Sequence, residues 1–294
     1  MSCVFELKGV TKRFGDATAL DDVSLTIPEQ HVVGLIGRNG SGKTTLLHHL
    51  VGLALPTQGS STTLGQSAAD LGPDELGRIG IVYQENRFLE WMTVQQHLRY
   101  VASFYPVWDA DRQCHLLEQL QLDPKARVGT LSTGDAQKLG LILAVCHHPD
   151  VLVLDEPVSA LDPIARQRLL EFLLDLLRED HCTIVISSHI LRDVEQIVDW
   201  IVFLDRGRIG VDSSLDDLQE RFSEWIVTPT DGTLPEHFDE TFVRDQQGSP
   251  TQAHLLVDGA GGELDSFKAK HRVDIAAGSL NLERIFPLLV DSDQ

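Results

Sequence analysis

The amino-acid sequence predicts an α/β fold organised around a mainly parallel β-sheet. Short apolar runs, each bounded by polar or glycine-containing residues, have the length and composition of fully buried strands. Five such runs are present, at residues 32–36, 79–83, 151–154, 183–187 and 201–204. Between the third and fourth runs, a helix is predicted to start at Asp162 and Pro163, an N-cap residue followed by a first-turn proline. Its apolar residues recur at helical spacing: Leu169, Phe172, Leu173, Leu176 and Leu177.

The most informative motif follows the first of these strands. Residues 37–44 match the phosphate-loop pattern G-x-x-x-x-G-K-[ST], between an apolar strand and an apolar helical stretch. Glycines let successive backbone N–H groups point at a polyphosphate, and the next helix adds its positive N-terminal end. We therefore predict that Lys43 reaches the β- and γ-phosphates of a nucleotide and that Thr44 ligates Mg²⁺. The predicted nucleotide-binding residues here are Gly37, Asn39, Gly40, Ser41, Gly42, Lys43, Thr44 and Thr45.

A pair of carboxylates ends the apolar run at 151–154. Asp155 and Glu156 follow this strand directly, so they lie at the carboxyl edge of the sheet, where open α/β folds bind ligands. Asp155 is predicted to hold Mg²⁺ through its water shell. Glu156 is predicted to orient or deprotonate the water that attacks the γ-phosphate. An acidic pair after a strand can also be a helix N-cap, but the upstream phosphate loop favours the chemical role.

A third motif begins a helix between the other two. Ser132 and Asp135 form an S-x-x-D capping arrangement ahead of the apolar run from Leu139 to Cys146. The free N–H groups of such a helix start, with Ser132 and Gly134, are suited to grip a phosphate. By itself the motif indicates only a helix start.

In its position some twenty residues before Asp155, this helix start resembles the signature motif of the ATP-binding cassette (ABC) family. Further motifs of that family occur in the same order. Phe14 matches the aromatic residue that stacks on adenine, although it is also compatible with an ordinary strand position. Gln84 matches the glutamine that contacts Mg²⁺ and water. Asp162, in residues 159–162, matches the loop that crosses the dimer interface, and His189 matches the histidine near the γ-phosphate, where a purely structural histidine is the alternative.

The resemblance covers residues 3 to about 220 and implies a P-loop NTPase (RecA-like) core with an antiparallel β part and a helical subdomain. It implies an ATP hydrolase with ATP and Mg²⁺ as cofactors, in which Glu156, His189 and Gln84 are catalytic and Thr44, Gln84 and Asp155 serve the metal. Ser132, Gly134 and Asp162 would act on the nucleotide of a second ATPase subunit, most simply a second copy of the chain.

The signature motif departs from the family's commonest form, Leu-Ser-Gly-Gly-Gln. Thr133 and Asp135 replace the first glycine and the glutamine, while Ser132 and Gly134 are retained. A carboxylate at 135 could repel a triphosphate, or it could serve as the helix cap described above. We favour the cap.

The domain organisation follows from changes of pattern along the chain. Residues 1–220 carry all the motifs, and about 86–147 read as a helical insertion. Residues 221–294 read as a small α+β accessory domain with strands at 225–229, 241–244 and 253–257 and a helix at 263–270. The apolar residues of its tail, from Leu280 to Leu289, have helical spacing and must bury one face.

Composition excludes several partners. A net charge of −20 opposes binding to nucleic acid or to an anionic lipid surface. Four cysteines without close spacing fit a reducing cytosol, and Cys146 and Cys182 adjoin apolar runs that indicate core positions. No apolar run of 18 residues is present to span a bilayer, so any membrane role must come through a partner.

Two segments resemble ATPases paired with ABC-2-type export permeases: residues 104–109 and the ending at 279–286. They predict an exporter subunit bound peripherally, through permease subunits, to the cytoplasmic face of the cell membrane. An importer ATPase is the alternative, and a non-transport ABC ATPase is a more distant one. Phe88, Leu89, Trp91 and Met92 are predicted to form an apolar groove for a permease helix, unless they are core residues of the insertion.

Overall fold

The computed structural model describes residues 3–159 and 161–290, and the chain divides into two compact units after Asp212. The strands of the first unit are β1 (Cys3–Phe14), β2 (Ala17–Pro28), β3 (Val32–Ile36), β4 (Gln58–Thr63), β5 (Gln66–Ser67), β6 (Ile79–Val82), β7 (Val151–Asp155), β8 (Thr183–Ser188), β9 (Trp200–Asp205) and β10 (Arg208–Ser214), the last of which runs past the division. Its helices are α1 (Lys43–Leu50), α2 (Pro73–Leu76), α3 (Val94–Ala102), α4 (Ala110–Gln119), a 3-10 helix (Val128–Thr130), α5 (Thr133–Val145), α6 (Pro163–Asp180) and α7 (Leu191–Val194).

The central sheet has the order β10-β9-β3-β8-β7-β6, and β3, β6, β7, β8 and β9 pair in parallel. The predicted parallel sheet is therefore confirmed. Strands β3 and β7 are buried along their whole length, as expected for strands covered on both faces. Every predicted apolar run forms one of these strands, within one or two residues at its ends.

A second, antiparallel sheet has the order β2-β1-β4-β5. The long hairpin of β1 and β2 alternates buried and exposed residues, so one face packs on the core and the other faces water. Strand β4 contains no large apolar residue, only glutamine, glycine, serine and threonine. This sheet is the antiparallel part that the family resemblance implied, and the fold class is confirmed.

The predicted helical insertion contains α3, α4 and α5. Each helix begins at a side-chain cap, supplied in turn by Thr93, Asp109 and Ser132. Helix α6 starts as predicted, with Asp162 accepting hydrogen bonds from the N–H groups of Ile164 and Ala165 at 2.9 and 3.0 Å.

The second unit contains α8 (Leu215–Arg221), β11 (Phe222–Pro229), β12 (Val243–Ser249), β13 (Gln252–Asp258), α9 (Leu264–His271), β14 (Val273–Ser279) and α10 (Leu282–Val290). Its antiparallel sheet has the order β12-β13-β11-β14. Trp225, Phe238 and Phe267 form an aromatic centre, with 5.3 Å between the ring centroids of Trp225 and Phe267. Strand β14 has no apolar run and was not predicted, and β12 starts and ends later than expected.

Two further expectations concern the cysteines and the apolar length of the helices. Cys146 and Cys182 are buried as predicted, and burial raises the pKa of each thiol to about 12, which keeps both groups protonated. Over residues 3–159 and 161–290, none of the helices has the length and apolar character needed to cross a bilayer.

Candidate active site

The register of the central sheet brings three chemical segments to one edge. Ile36, the last residue of β3, pairs with Ser188 of β8, and Asp155 of β7 pairs with Ser187. The phosphate loop (residues 37–44) follows β3, so it lies beside the ends of β7 and β8. The carboxyl edge of the sheet therefore carries the loop, both predicted carboxylates and the segment that leads to His189.

Close backbone packing explains why the phosphate loop needs glycine at two positions. A Cβ on Gly37 would lie 2.3 Å from the carbonyl oxygen of Leu204, and one on Gly42 would lie 2.5 Å from that of Ala19. Gly42 also has a φ of +108°, a region that residues with a side chain avoid. Gly42 is the N-cap of α1 and supplies no side-chain hydrogen bond, so the first N–H groups of that helix are left for a ligand.

A cavity of about 360 Å³ opens over this loop. The predicted residues that line it come from the loop, from the end of β6 and from the end of β7: Asn39, Gly40, Gly42, Lys43, Thr44, Thr45, Gln84, Asp155 and Glu156. Within the described part of the chain, the buried hydroxyl of Ser41 has no hydrogen-bond partner. An orphaned hydroxyl in a phosphate loop fits a site built to receive polar ligand atoms.

Lys43 is buried at the floor of the site. Its Nζ donates to the carbonyl oxygen of Gly37 at 2.8 Å and to that of Arg38 at 3.4 Å, and it lies 3.6 Å from Oε1 of Glu156. The ammonium group is thus held by the loop itself, next to the space where phosphates are expected.

The donor set around Asp155 fits a magnesium ion. Thr44 donates its hydroxyl to Oδ2 of Asp155 at 2.7 Å, and Ser187 donates its hydroxyl to Oδ1 at 2.6 Å. A hydroxyl, a carboxylate and the side chain of Gln84 in one cavity are the hard oxygen ligands that Mg²⁺ prefers. Ser187 was not predicted as a site residue, although a polar pair that ends an apolar strand and precedes His189 is the signal that could have indicated it.

Glu156 occupies a strained turn directly after β7. Its φ is +51°, uncommon for a residue with a side chain, and such outliers concentrate at functional sites. Its N–H donates to Oγ of Ser187 at 2.9 Å. Nδ1 of His189 donates to Oε2 of Glu156 at 2.7 Å, so the structure places the predicted base and the predicted histidine in direct contact. Glu156 is 4% exposed, which limits how far its carboxylate can move.

Seven predicted residues do not line this cavity: Gly37, Ser41, His189, Phe14, Ser132, Gly134 and Asp162. Gly37 and Ser41 belong to the phosphate loop beneath it, and His189 contacts Glu156. The Phe14 ring lies at the end of the β1–β2 hairpin and is 57% exposed, with Nζ of Lys12 5.0 Å from its centroid. Ser132 and Asp162 are the N-caps of α5 and α6, and Gly134 lies in the first turn of α5. One member of the segment 159–162, Ala160, is outside the described residues.

Ser132 caps α5 by accepting the backbone N–H of Asp135, and the Asp135 carboxylate forms two side-chain hydrogen bonds. Oγ of Ser132 accepts the N–H of Asp135 at 3.1 Å, while the Ser132 hydroxyl donates to Oδ2 of Asp135 at 2.8 Å. Lys138 donates to the other carboxylate oxygen at 2.8 Å. The hydrogen bond from Lys138, assisted by that from Ser132, lowers the pKa of Asp135. The carboxylate is therefore ionised and neutralised locally at physiological pH.

The predicted apolar groove differs from its expected composition. A cavity of about 660 Å³ lies beside the segment that follows β6, and Phe88 lines it together with Glu85 and Arg87. Met92 is buried in the core, and Trp91 is 67% exposed but does not line this cavity. Leu89 is half-buried and does not line the cavity either. The remaining apolar lining comes from β6 and from more distant segments and includes Ile81, Leu53, Val101 and Leu143.

Comparison with known proteins shows the family to which this chain belongs. The family model described as ABC transporter matches residues 20–159. The chain is 32% identical over 228 residues to a bacitracin transport ATP-binding protein of Bacillus licheniformis, covering 77% of this chain and 74% of that protein. It is 31% identical over 223 residues to the Nod factor export ATP-binding protein I of Cupriavidus pinatubonensis, covering 74% and 68% of the two chains.

Solved structures agree. The ATP-binding subunit of an ABC transporter superposes with a TM-score of 0.68 at 28% identity, covering 74% of this chain and 92% of that one. A dimeric ATP-binding cassette in a post-hydrolysis state, bound to ADP and Pi, gives a TM-score of 0.65 at 26% identity and covers 72% and 98%.

The fold and the cavity together define a P-loop NTPase. The chain belongs to the ABC transporter family, as an ATP-binding subunit. It is an ATPase whose hydrolysis is coupled to transport.

Proposed function

We propose that this chain is the ATPase of an ABC-2-type exporter, bound through permease subunits to the cytoplasmic face of the cell membrane. The observation that carries the catalytic part is the direct contact of Glu156 with both Lys43 and His189 beside the Thr44–Asp155 pair. The exporter part is supported by relatives named for bacitracin transport and Nod factor export.

Hydrolysis follows from the geometry of these side chains. Lys43 and the N–H groups of the phosphate loop bind the phosphates of ATP. Thr44, Asp155 and Gln84 would hold Mg²⁺, which supplies charge neutralisation at the phosphate oxygens when bound. Glu156 orients and deprotonates the attacking water, and His189 holds the Glu156 carboxylate through the 2.7 Å contact.

Three of the residues outside the cavity are proposed to act on a second copy of the chain. Ser132 and Gly134 at the start of α5, and Asp162 at the start of α6, would complete the ATP site of the partner. Exposed Phe14 would stack on the adenine of the nucleotide bound by its own chain. A homodimer would then contain two shared sites. The second unit, residues 213–294, contains none of these residues.

The groove next to Gln84 is proposed to receive a short permease helix. Its apolar lining, with Phe88, Val101 and Leu143, suits one apolar helix face, and Glu85 and Arg87 provide polar contacts. Because the groove and the ATP site share the segment after β6, ATP binding and permease movement can be coupled through Gln84.

The experiment is photo-crosslinking of the full chain in cells. A photo-reactive amino acid replaces exposed Arg87 in the groove, and a matched control places it at Glu171, exposed on α6. We expect a crosslink from position 87, absent from 171, to a membrane protein with the topology of an ABC-2 permease. A crosslink to an importer permease would overturn the exporter assignment, and equal labelling from both positions would overturn the groove.

A further inference from the structure

Gln137 joins α5 to the catalytic turn. It lies five residues after the N-cap Ser132 and is only 4% exposed. Its side-chain amide donates to the backbone carbonyl oxygen of Glu156 at 3.1 Å. The helix that carries the signature residues of the chain is thus hydrogen-bonded to the residue proposed as the base of the same chain.

The turn that receives this hydrogen bond depends on its contacts. Glu156 has the left-handed φ of +51°, so its conformation must be maintained by surrounding structure. The Glu156 carbonyl also accepts the hydroxyl of Ser159 at 2.9 Å and its N–H at 3.2 Å. Those donors belong to the turn itself, whereas Gln137 brings a donor from another element. Loss of Gln137 would leave the turn formed but no longer fixed to α5.

A packing role alone does not account for this glutamine. Its Oε1 is buried and has no hydrogen-bond partner among the described residues. An unpaired buried amide oxygen destabilises a fold, and an apolar side chain of similar volume would avoid that cost. The one observed hydrogen bond of this amide is to the catalytic turn, which points to a functional reason for a glutamine at this position.

The distance along the helix suits mechanical coupling. Five residues of α-helix span about 7.5 Å, so Gln137 lies little more than one turn from Ser132. A helix of this length moves as a rigid body, because its backbone hydrogen bonds resist bending. Any shift of the helix start therefore reaches the carbonyl of Glu156.

We infer that Gln137 is a positioning residue that ties the orientation of Glu156 to the placement of the signature helix of its own chain. When that helix engages the nucleotide of a second copy, Gln137 orients the catalytic turn in its own site. ATP hydrolysis at the two sites is therefore coupled. This inference rests on the proposed roles of Glu156 and of the helix start at Ser132.

The test is ATP hydrolysis by the purified full chain carrying Gln137→Met, which preserves volume and removes the donor. The matched control is Leu141→Met, a buried position one turn further along α5. We expect kcat of Gln137→Met to fall about tenfold, the effect of about 1.4 kcal/mol, with KM for ATP within about twofold. Cooperativity in ATP should fall towards a Hill coefficient of about 1. Gln137→Asn is the second variant, for use if the methionine variant does not fold. The asparagine side chain is too short to reach Glu156, so the same fall in kcat and in cooperativity is expected.

Several outcomes would overturn the inference. One is an unchanged kcat and Hill coefficient in both Gln137 variants. Another is a loss of activity matched by Leu141→Met, which would indicate packing only. If the Glu156→Gln variant hydrolyses ATP at the wild-type rate, the proposed role of Glu156 is overturned, and the coupling with it.

Discussion

Replacing Glu156 with glutamine tests the centre of the proposed mechanism. Glu156 is 4% exposed, with Oε1 3.6 Å from Nζ of Lys43 and Oε2 2.7 Å from Nδ1 of His189. Glutamine has the same shape, so it fits this space with its oxygen towards Lys43 and its amide nitrogen towards His189, whose Nδ1 then accepts a hydrogen bond in the other imidazole tautomer. The amide cannot accept a proton from water, so the substitution removes the base with little change of packing.

The expected magnitude is large for hydrolysis and small for binding. General-base catalysis contributes about 10²–10⁴-fold, so turnover should fall by at least about a hundredfold, or about 2.7 kcal/mol. Lys43 keeps its hydrogen bonds to the carbonyl oxygens of Gly37 and Arg38, so the phosphate loop should stay in place. The Kd for Mg-ATP should therefore stay within about fivefold, which is about 1 kcal/mol.

The assay pairs single-turnover hydrolysis with equilibrium binding of Mg-ATP, and size exclusion follows the dimer. ATP-bound dimer should accumulate in the Glu156→Gln variant because hydrolysis no longer separates the subunits. Lys43→Ala is the control, since deleting the charge that faces the phosphates should abolish binding itself. Unaltered turnover in Glu156→Gln would refute the assignment of the base. Parallel loss of binding and turnover would show that the carboxylate is structural.

Three further predictions concern other parts of the chain. Asp135→Asn should change hydrolysis less than about threefold, because the N-cap of α5 is the Ser132 side chain, which still accepts the backbone N–H of residue 135; ATP-driven dimerisation tightened by tenfold or more would instead reveal charge repulsion. A chain that ends at Arg221 should bind Mg-ATP like the full chain in a titration, since the lining of the cavity lies before that residue; a tenfold loss in folded protein would contradict this. A hydrogen bond from Arg284, then one from His254, lowers the pKa of Glu224 from 4.5 to about 2. Its stabilisation is therefore complete above pH 4.5 and lost as the pH falls towards about 2. The melting temperature of Glu224→Gln should lie below wild type at neutral pH and converge with it in acid, and a constant difference would argue against this pair.

Local sequence was sufficient for the elements and motifs in which neighbouring residues act together. The phosphate loop, its flanking strand and helix, and the strand that ends in Asp155 and Glu156 each lie in one short segment. Their hydrogen-bonding and burial patterns are therefore visible in the order of the residues. The α6 start at Asp162 is of the same kind, because an N-cap bonds to N–H groups two and three residues away.

Strands β1, β2, β4 and β14 were not predicted from local pattern. They are half exposed or made of small polar residues, so they lack the continuous apolar runs that mark buried strands. Their pairing partners lie up to several dozen residues away and determine that they are strands. Local sequence was also insufficient for the apolar stretch at 88–92, where Met92 is buried in the core and Trp91 is exposed. Packing within the helical insertion determines which of these neighbouring side chains is buried.

The sequence by itself determined the class of nucleotide chemistry and the residues that could perform it. Only the tertiary structure decided how they are supported. Ser187 bridges Asp155 and Glu156, and Gln137 reaches the Glu156 carbonyl across 19 positions of the chain. Such contacts depend on the register of parallel strands and on how a helix packs against them. Because these arrangements join residues that are distant in sequence, no local pattern records them.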